Sequence, residues 1–375
     1  MNGASPPRDG KIPVNLLTGF LGSGKTTLLR ELLADPRLKQ TAVLINEFGE
    51  VGLDHHLLER IDENVVLLNS GCVCCTVRGE LVDALIDLDT RRAKGLIPAF
   101  DRVVIETTGL ADPFPALSTL QAHPVLVNHF SLDKVVVTID AVNGEAQLRD
   151  RLEAVRQLAV ADVVAITKTD LCGADAVARL RRKLAAINPS AVTILREQAE
   201  AAHLLGGASV SPDIADAFVD ADPSEGLDRH HEGESRHHHH HHASGGSTVT
   251  SFSVIVEERL DWTAFGIWLT MLLNRHGDRI FRVKGILNVR GEERPIAIHG
   301  VQRLVHPPAH MKAWPDDADR RSKLVFIVEG LDPAVIKHSL RVFNDLSDRL
   351  LPRTETSSQL LGGIEGGDAL AQTGG

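Results

Sequence analysis

The chain has 375 residues, and at about 150 residues per domain this length indicates two domains rather than one or four. Its 43% of hydrophobic residues excludes wholesale disorder, and its net charge of −10 argues against a general nucleic-acid binder, which normally carries a basic excess. No apolar run approaches the roughly 18 residues that span a bilayer, and the polar start MNGASPPRDG lacks the layout of a signal peptide. We therefore expect a cytoplasmic protein with neither a membrane nor a nucleic-acid partner.

Short β-branched apolar runs recur through the first half of the chain, and most are continuous rather than alternating, which favours strands buried on both faces. They are Val14–Leu17, Val43–Ile45, Val65–Leu68, Val103–Ile105, Val135–Ile139, Val163–Ile166 and Val192–Leu195. Helix-like stretches separate several of them, namely Thr26–Ala34, Gly79–Leu88, Gln147–Leu158 and Ala174–Ile187. This alternation predicts an α/β domain with an open, mostly parallel sheet over residues 12–205, after a flexible N-terminus of residues 1–11.

The composition changes after residue 205. Residues 206–248 are rich in Gly, Ser, Asp and Pro and contain eight histidines between positions 230 and 242, which predicts a mobile His-rich linker. A purification tag is the other interpretation of His230–His242, although tags usually stand at a terminus and His230 and His231 lie outside the run of six.

Alternating strand-like and helix-like stretches return after the linker. They are Thr250–Val256, Trp262–Arg275, Ile280–Val289, Pro295–Leu304, Leu324–Glu329 and Pro333–Leu350. Their order βαβββα predicts a smaller α+β domain with antiparallel pairing over residues 249–352, followed by a tail of residues 353–375.

A loop with the pattern G-x-x-x-x-G-K-[ST] occupies residues 19–26, directly after a predicted strand and directly before a predicted helix. This is the context that the phosphate-binding motif requires. Its backbone N–H groups and the helix N-terminus would cradle phosphate oxygens, Lys25 would reach the β- and γ-phosphates, and the Thr26 hydroxyl would hold Mg²⁺. We therefore predict a P-loop NTPase fold whose nucleotide site includes Gly19, Gly22, Ser23, Gly24, Lys25, Thr26 and Thr27.

The segment Thr167-Lys168-Thr169-Asp170 ends a later predicted strand and resembles the N-K-x-D motif with which GTPases read the base. In that motif the Asp accepts two hydrogen bonds from guanine and the Lys stem lies over the ring. We therefore assign Thr167, Lys168 and Asp170 to the base and expect GTP rather than ATP. Thr167 stands where the motif has Asn, which changes one supporting hydrogen bond.

Glu106-Thr107-Thr108-Gly109 follows another predicted strand, where GTPases carry a D-x-x-G element. The acid of that element orders the Mg²⁺ shell and the Gly N–H senses the γ-phosphate, so Glu106 and Gly109 join the predicted site. The predicted catalytic residues are Lys25, Thr26 and Glu106. A helix-starting turn is the alternative for this segment. Asn46–Glu50 is a candidate first switch segment, with a surface loop as its alternative.

Three of the four cysteines, Cys72, Cys74 and Cys75, crowd together after a predicted strand. In an extended chain residues i and i+2 face the same side, so Cys72 and Cys74 can bind one ion. Cys75 needs a turn to join them, and otherwise it points at a neighbour. Thiolates select Zn²⁺, Cu(I) or Co²⁺ over Mg²⁺. The alternative is that these are small buried thiols, and we interpret the isolated Cys172 as a packing residue.

These segments together resemble the CobW family of metal-linked P-loop GTPases. The resemblance rests on GFLGSGKTTLL, INEFGEVGLD, GCVCC followed by TVRGEL, ETTGLADP and TKTD in that order, and on FRVKGILNV and IAIHGVQRLVH in the second domain. It covers roughly residues 12–350. It implies that Cys72, Cys74 and Cys75 bind the metal, with Glu47 as a candidate further ligand, and that GTP or GDP, Mg²⁺ and Zn²⁺, alternatively Co²⁺, are the cofactors.

The function that follows from the resemblance is a slow GTPase that hands Zn²⁺ or a similar ion to a client apo-metalloprotein. Two alternatives remain open on the sequence. One is a metal store or sensor in which nucleotide only stabilises the fold, and the other is an activator in cobalt or cobalamin metabolism. A dimer is one expectation for its assembly.

Overall fold

The structure is a computed structural model and describes residues 10–45, 66–69, 77–199, 204–205 and 249–350. Its first sheet has seven strands in the order β3-β2-β4-β1-β5-β6-β7, and all neighbouring strands are parallel. They are β1 (Ile12–Gly19), β2 (Thr41–Ile45), β3 (Val66–Asn69), β4 (Arg102–Glu106), β5 (Phe130–Asp140), β6 (Val163–Thr167) and β7 (Val192–Leu195). The predicted open parallel sheet is confirmed, and each predicted strand overlaps one of these seven.

Helices cover both faces of this sheet and bury its continuous apolar strands in two clusters. They are α1 (Lys25–Leu33), α2 (Val77–Ala93), α3 (Phe114–Ala122), α4 (Leu126–His129), α5 (Gly144–Asp150), α6 (Leu152–Ala159) and α7 (Ala174–Ile187). The sequence does not predict α3 and α4. Helix α3 begins at Phe114 with a proline next to it, a position where proline needs no N–H partner.

The prediction of a single helix over Gln147–Leu158 is wrong. Arg151 leaves the helical region, with φ −130° and ψ 113°, and divides the stretch into α5 and α6. The break allows Leu148 of α5 and Leu158 of α6 both to pack into the core of the first sheet. No glycine or proline marks Arg151 in the sequence, so only packing decides this break.

The second sheet is antiparallel, with strand order β11-β10-β9-β13-β8 and β12 paired to β10. Its strands are β8 (Val249–Val256), β9 (Ile280–Leu287), β10 (Ile296–Val301), β11 (Leu304–Val305), β12 (Ala309–His310) and β13 (Ser322–Glu329), and its helices are α8 (Trp262–His276) and α9 (Pro333–Leu350). The predicted smaller α+β domain with antiparallel pairing is confirmed, with β11 and β12 as short additions. Among the described helices, none combines the length and the apolar character needed to cross a membrane.

The two sheets are joined by a contact between β9 and the chain around α6 and β6. Ala159 packs with Phe281 and Ile327 of the second domain. Arg282 pairs with Asp162, and Lys284 Nζ lies 3.2 Å from Asp162 Oδ1. Burial raises the pKa of Asp162, but Arg282, Lys284 and a hydrogen bond from the Val135 N–H together with His299 lower it further, so the pKa lies well below its usual range. This carboxylate therefore joins the two domains.

Candidate functional site

The predicted site residues gather at one edge of the first sheet because parallel strands end together. Ile45 at the end of β2 pairs with Asn69 at the end of β3 and with Glu106 at the end of β4. Glu106 pairs in turn with Leu17, two residues before the phosphate loop. The ends of β2, β3 and β4 thus lie in one row beside Leu17, two residues before β1 ends.

The phosphate loop of residues 19–26 joins β1 to α1. Its three glycines, Gly19, Gly22 and Gly24, all have positive φ angles, which side chains rarely tolerate. Helix α1 begins at Lys25, directly after Gly24, and its first turn carries no acidic side chain. The positive end of the helix dipole is therefore available to an anion in the loop.

Two side chains in the first turn of α1 mark where phosphates and Mg²⁺ would bind. The Lys25 ammonium donates to the Gly19 carbonyl at 3.0 Å and reaches the Phe20 carbonyl at 3.4 Å, so it lies across the loop. The Thr26 hydroxyl donates to Glu106 Oε1 at 2.6 Å, and Glu106 is only 5% exposed. A hydroxyl and a carboxylate are hard oxygen ligands, the chemistry that Mg²⁺ prefers, so these residues fit that ion.

The segment after β4 packs directly on the phosphate loop. The Thr107 hydroxyl donates to Thr18 Oγ1 at 2.8 Å and the Thr107 N–H donates to the Leu17 carbonyl at 3.0 Å. A Cβ on Gly109 would lie only 2.6 Å from the backbone nitrogen of Leu21, so this close approach requires glycine. Gly109 therefore lies against the loop, where the sequence predicts it to sense the phosphate.

Thr167, where the base-reading motif has Asn, is buried beneath the phosphate loop. Its hydroxyl donates to the Ser23 carbonyl at 2.7 Å, and Ser23 Oγ lies 2.6 Å from Thr138 Oγ1. The last residue of β6 is thus joined to the loop by a hydrogen bond.

Lys168 and Asp170 follow at the carboxyl end of β6. Lys168 has a left-handed backbone, with φ 56°, and its ammonium donates to Asp140 Oδ2 at 2.8 Å. Burial of Asp140 raises its pKa, but hydrogen bonds from Lys168, Asn143 and the Val142 N–H outweigh it, and the pKa lies below the usual value. Asp170 is exposed and accessible to a ligand.

Asp140 is a site residue that the sequence does not single out. It ends β5 and accepts from the Val142 N–H at 2.8 Å, so it closes a turn as well as holding Lys168. A carboxylate directly after the predicted strand Val135–Ile139 is the signal that could have found it. Glu197 is a second such residue, since the Thr169 hydroxyl donates to its carboxylate.

The candidate metal ligands Cys72, Cys74, Cys75 and Glu47 lie outside the described residues. So do the candidate switch segment Asn46–Glu50, the His-rich segment 206–248 and the tail. Within the parts of the chain that are described, no three His, Cys, Asp or Glu side chains are grouped to hold a metal ion. Cys172 is half-buried and packs against the core of the first sheet.

Two histidines of the second domain lie at its contact with the first. The rings of His299 and His306 are 6.2 Å apart, and His306 Nε2 lies 2.6 Å from Gln121 Nε2 of α3. Burial, with Lys284 and Arg282 nearby, lowers the pKa of His299 to about 3. Both rings therefore belong to the domain contact.

Comparison with known proteins gives matches over both domains. Residues 13–195 match the family described as CobW/HypB/UreG, nucleotide-binding domain, and residues 249–344 match the cobalamin synthesis protein CobW C-terminal domain. The chain is 34% identical over 318 residues to the zinc chaperone YjiA of Escherichia coli, covering 84% of this chain and 93% of that protein. It is 33% identical to the zinc chaperone CobW of Pseudomonas aeruginosa, covering 88% of this chain and 91% of the relative.

A solved structure has a similar arrangement of the chain. The crystal structure of the zinc-bound YjiA GTPase from Escherichia coli superposes with a TM-score of 0.65 at 29% identity. The match covers 89% of this chain and 99% of that one, so it includes both domains.

Proposed function

Since the chain belongs to the CobW family of P-loop proteins, we propose that it is a GTP-hydrolysing metallochaperone that binds Zn²⁺ and transfers it to a client metalloprotein. The similarity to relatives named zinc chaperones supports zinc as the metal, and the similarity to the zinc-bound YjiA GTPase supports GTP as the nucleotide. The observation that carries the proposal is the row formed by the strand ends Asn69, Ile45 and Glu106 with Leu17 of β1 beside them.

The nucleotide half of the proposal rests on the described edge of the first sheet. Lys25 and the backbone N–H groups of the loop would bind the phosphates and stabilise charge on the γ-phosphoryl group during hydrolysis. Mg²⁺, held by the Thr26 hydroxyl with Glu106 beside it, would neutralise charge on the β- and γ-phosphates. Asp170 and Lys168 would bind guanine, and Thr167 would keep that loop joined to the phosphate loop.

The metal half rests on where the chain leaves the sheet. The candidate switch segment follows Ile45, and the cysteine cluster follows Asn69 by three to six residues. Ile45 pairs with Glu106, which contacts Thr26 at the predicted Mg²⁺ position, and Asn69 lies one strand further along the sheet. Cys72, Cys74, Cys75 and Glu47 offer thiolate and carboxylate ligands of the kinds that bind Zn²⁺.

Proximity of the two sites implies that they influence one another. A loop that reorders around Mg²⁺ and the γ-phosphate is a recognised two-state element of GTPases. If Glu47 completes the cysteine site in only one nucleotide state, GTP changes the metal affinity, and the metal changes the GTP affinity by the same factor. Transfer to the client then follows hydrolysis, as the weaker-binding state releases the ion.

The test is to measure Zn²⁺ dissociation constants for the nucleotide-free protein and for its GDP and non-hydrolysable GTP complexes. The protein is purified without a nickel column, because imidazoles of the His run bind nickel as well. We expect the constants to differ by roughly 5–150-fold between states. Cys74→Ser should lose the tight site, and the matched control Cys172→Ser should keep it.

Two outcomes would change the proposal. Equal Zn²⁺ dissociation constants in the three states would show that the nucleotide does not change the metal affinity, and would favour the metal-storage interpretation. Tighter binding of Co²⁺ than of Zn²⁺, against the usual order of affinities, would make cobalt the cargo.

A further inference from the structure

Gln157, two residues before the C-terminal end of α6, is fully buried and connects two regions that the sequence does not relate. Its Nε2 donates to the Gly109 carbonyl at 3.2 Å and to the Ala111 carbonyl at 3.1 Å. We propose that Gln157 is a positioning residue for residues 109–112 after β4, here called the Gly109 segment. We further propose that a change of this segment between nucleotide states is transmitted through α6 to the second domain. The inference rests on the proposed GTP-binding function.

The Gly109 segment is fixed from two sides. On one side its backbone lies against Leu21 of the phosphate loop, so closely that a Cβ on Gly109 would meet the Leu21 nitrogen at 2.6 Å. On the other side it accepts both hydrogen bonds from Gln157. Any change in the phosphate loop that moves Gly109 must therefore move Gln157 or break these bonds.

The same helix contacts the segment a second time. Arg156 lies 3.3 Å from Asp112 Oδ2, and Asp112 Oδ1 accepts from the Phe114 N–H at 3.0 Å, where α3 begins. The Arg156 guanidinium also lies 5.9 Å from the centre of the Phe281 ring, on β9 of the second domain. One arginine thus touches both the nucleotide-side segment and the second domain.

The C-terminal end of α6, directly after Gln157, is joined to the second domain. Ala159, its last residue, packs with Phe281 and Ile327. The carbonyl of Val160 accepts from Arg282, which also pairs with Asp162. Because an eight-residue helix moves as a unit, a shift at Gln157 displaces these contacts with β9.

The composition of the chain supplies a direct readout. Its three tryptophans, Trp262, Trp268 and Trp314, all lie in the second domain, and the chain has no tyrosine. Energy transfer from tryptophan to a bound N-methylanthraniloyl nucleotide therefore reports the distance and orientation of the second domain relative to the nucleotide site. It is measured in the full-length protein with labelled GDP and with a labelled non-hydrolysable GTP analogue, both with Mg²⁺.

We expect the wild type to show different transfer efficiencies with the two nucleotides. Gln157→Met, which keeps the volume and removes both donors, should abolish that difference and reduce the discrimination between GTP analogue and GDP about tenfold, as loss of one to two hydrogen bonds would do. Arg156→Gln should reduce the difference in transfer while keeping the discrimination. Gln147→Met, the same exchange on α5, should behave as the wild type.

The outcomes separate the inference from the function on which it rests. If the wild type binds both nucleotides and shows equal energy transfer with each, the inference is overturned and the proposed function is not. A Gln157→Met protein with lowered thermal stability but with wild-type energy transfer and wild-type discrimination between GTP analogue and GDP would also overturn it. Gln157 would then contribute only to the packing of the core. If Gln157→Met fails to fold, unchanged transfer in Arg156→Gln overturns the inference. A wild type that binds neither nucleotide would overturn the proposed function as well.

Discussion

The carboxyl edge of the first sheet and the sheet of the second domain both bury polar side chains, but they use them differently. At the first edge the buried polar groups stand at strand ends or in the loop beside them, as do Thr18, Ser23, Glu106, Asp140 and Thr167. In the second sheet Arg282 and Lys284 lie along β9 and face the other domain. Parallel strands end together, so their terminal residues can converge on one ligand, whereas antiparallel ends alternate.

This difference predicts that mutations at the domain contact change stability, and that mutations at the sheet edge change ligand binding. Asp162→Asn should have the largest effect, because it leaves Arg282 and Lys284 buried without their carboxylate. We expect a loss of about 3 kcal/mol in the free energy of unfolding, at the lower end of the range for breaking a buried pair. Denaturant unfolding of the full chain measures it.

The matched control for Asp162 is the exposed pair Asp278–Arg303, 2.6 Å apart. Asp278→Asn should change the unfolding free energy far less than Asp162→Asn, since exposed pairs contribute little. Equal losses in the two variants would show that the contact between the domains does not depend on Asp162.

Lys25→Ala tests the sheet edge. Loss of the ammonium that lies across the phosphate loop should weaken GTP binding by about 100-fold or more, because charge-assisted hydrogen bonds to phosphate disappear. The nucleotide-free variant should still fold, with a smaller loss in the free energy of unfolding than Asp162→Asn. Calorimetric titration measures the affinity, with Lys94→Ala as control. Near-normal GTP affinity of Lys25→Ala would show that the phosphates do not bind in this loop.

The pH dependence of the domain contact should be the smallest of these effects. Burial, then Lys284 and Arg282, lower the pKa of His299 to about 3, while Asp162 acts in the opposite direction and His306 adds to the lowering. The unfolded chain binds a proton at His299 near pH 6.5 and the folded chain does not. Stability from this group is therefore present above pH 6.5 and is lost as the pH falls, by up to about 2 kcal/mol at pH 5.

The measurement compares the unfolding free energy of wild type and His299→Asn between pH 8 and pH 5. The variant is needed because Asp133 contributes with the opposite sign: burial raises its pKa to about 6, so its contribution falls as the pH rises from 3.8 to 6. The difference between the two proteins should shrink towards low pH, with a variant of the exposed His310 as control. A constant difference would contradict a neutral buried His299.

The elements of both domains are largely predictable because their signals are local. Continuous β-branched runs such as Val135–Ile139 identify every strand of the first sheet, and the P-loop pattern identifies where α1 begins. Helices α3 and α4 are missed because their short stretches have no clear periodicity. The break at Arg151 is missed because no local signal marks it.

The sequence by itself determined most of the strands and helices, the phosphate loop, the candidate base-reading segment and the family resemblance, since these depend on residues close together along the chain. The tertiary structure alone brought together Thr26 with Glu106, Lys168 with Asp140, and Gln157 with Gly109. Those pairs are separated by 80, 28 and 48 positions. Their meeting depends on strand order and on how α6 packs, which are set by burial of apolar faces summed over the whole sheet rather than by any local pattern.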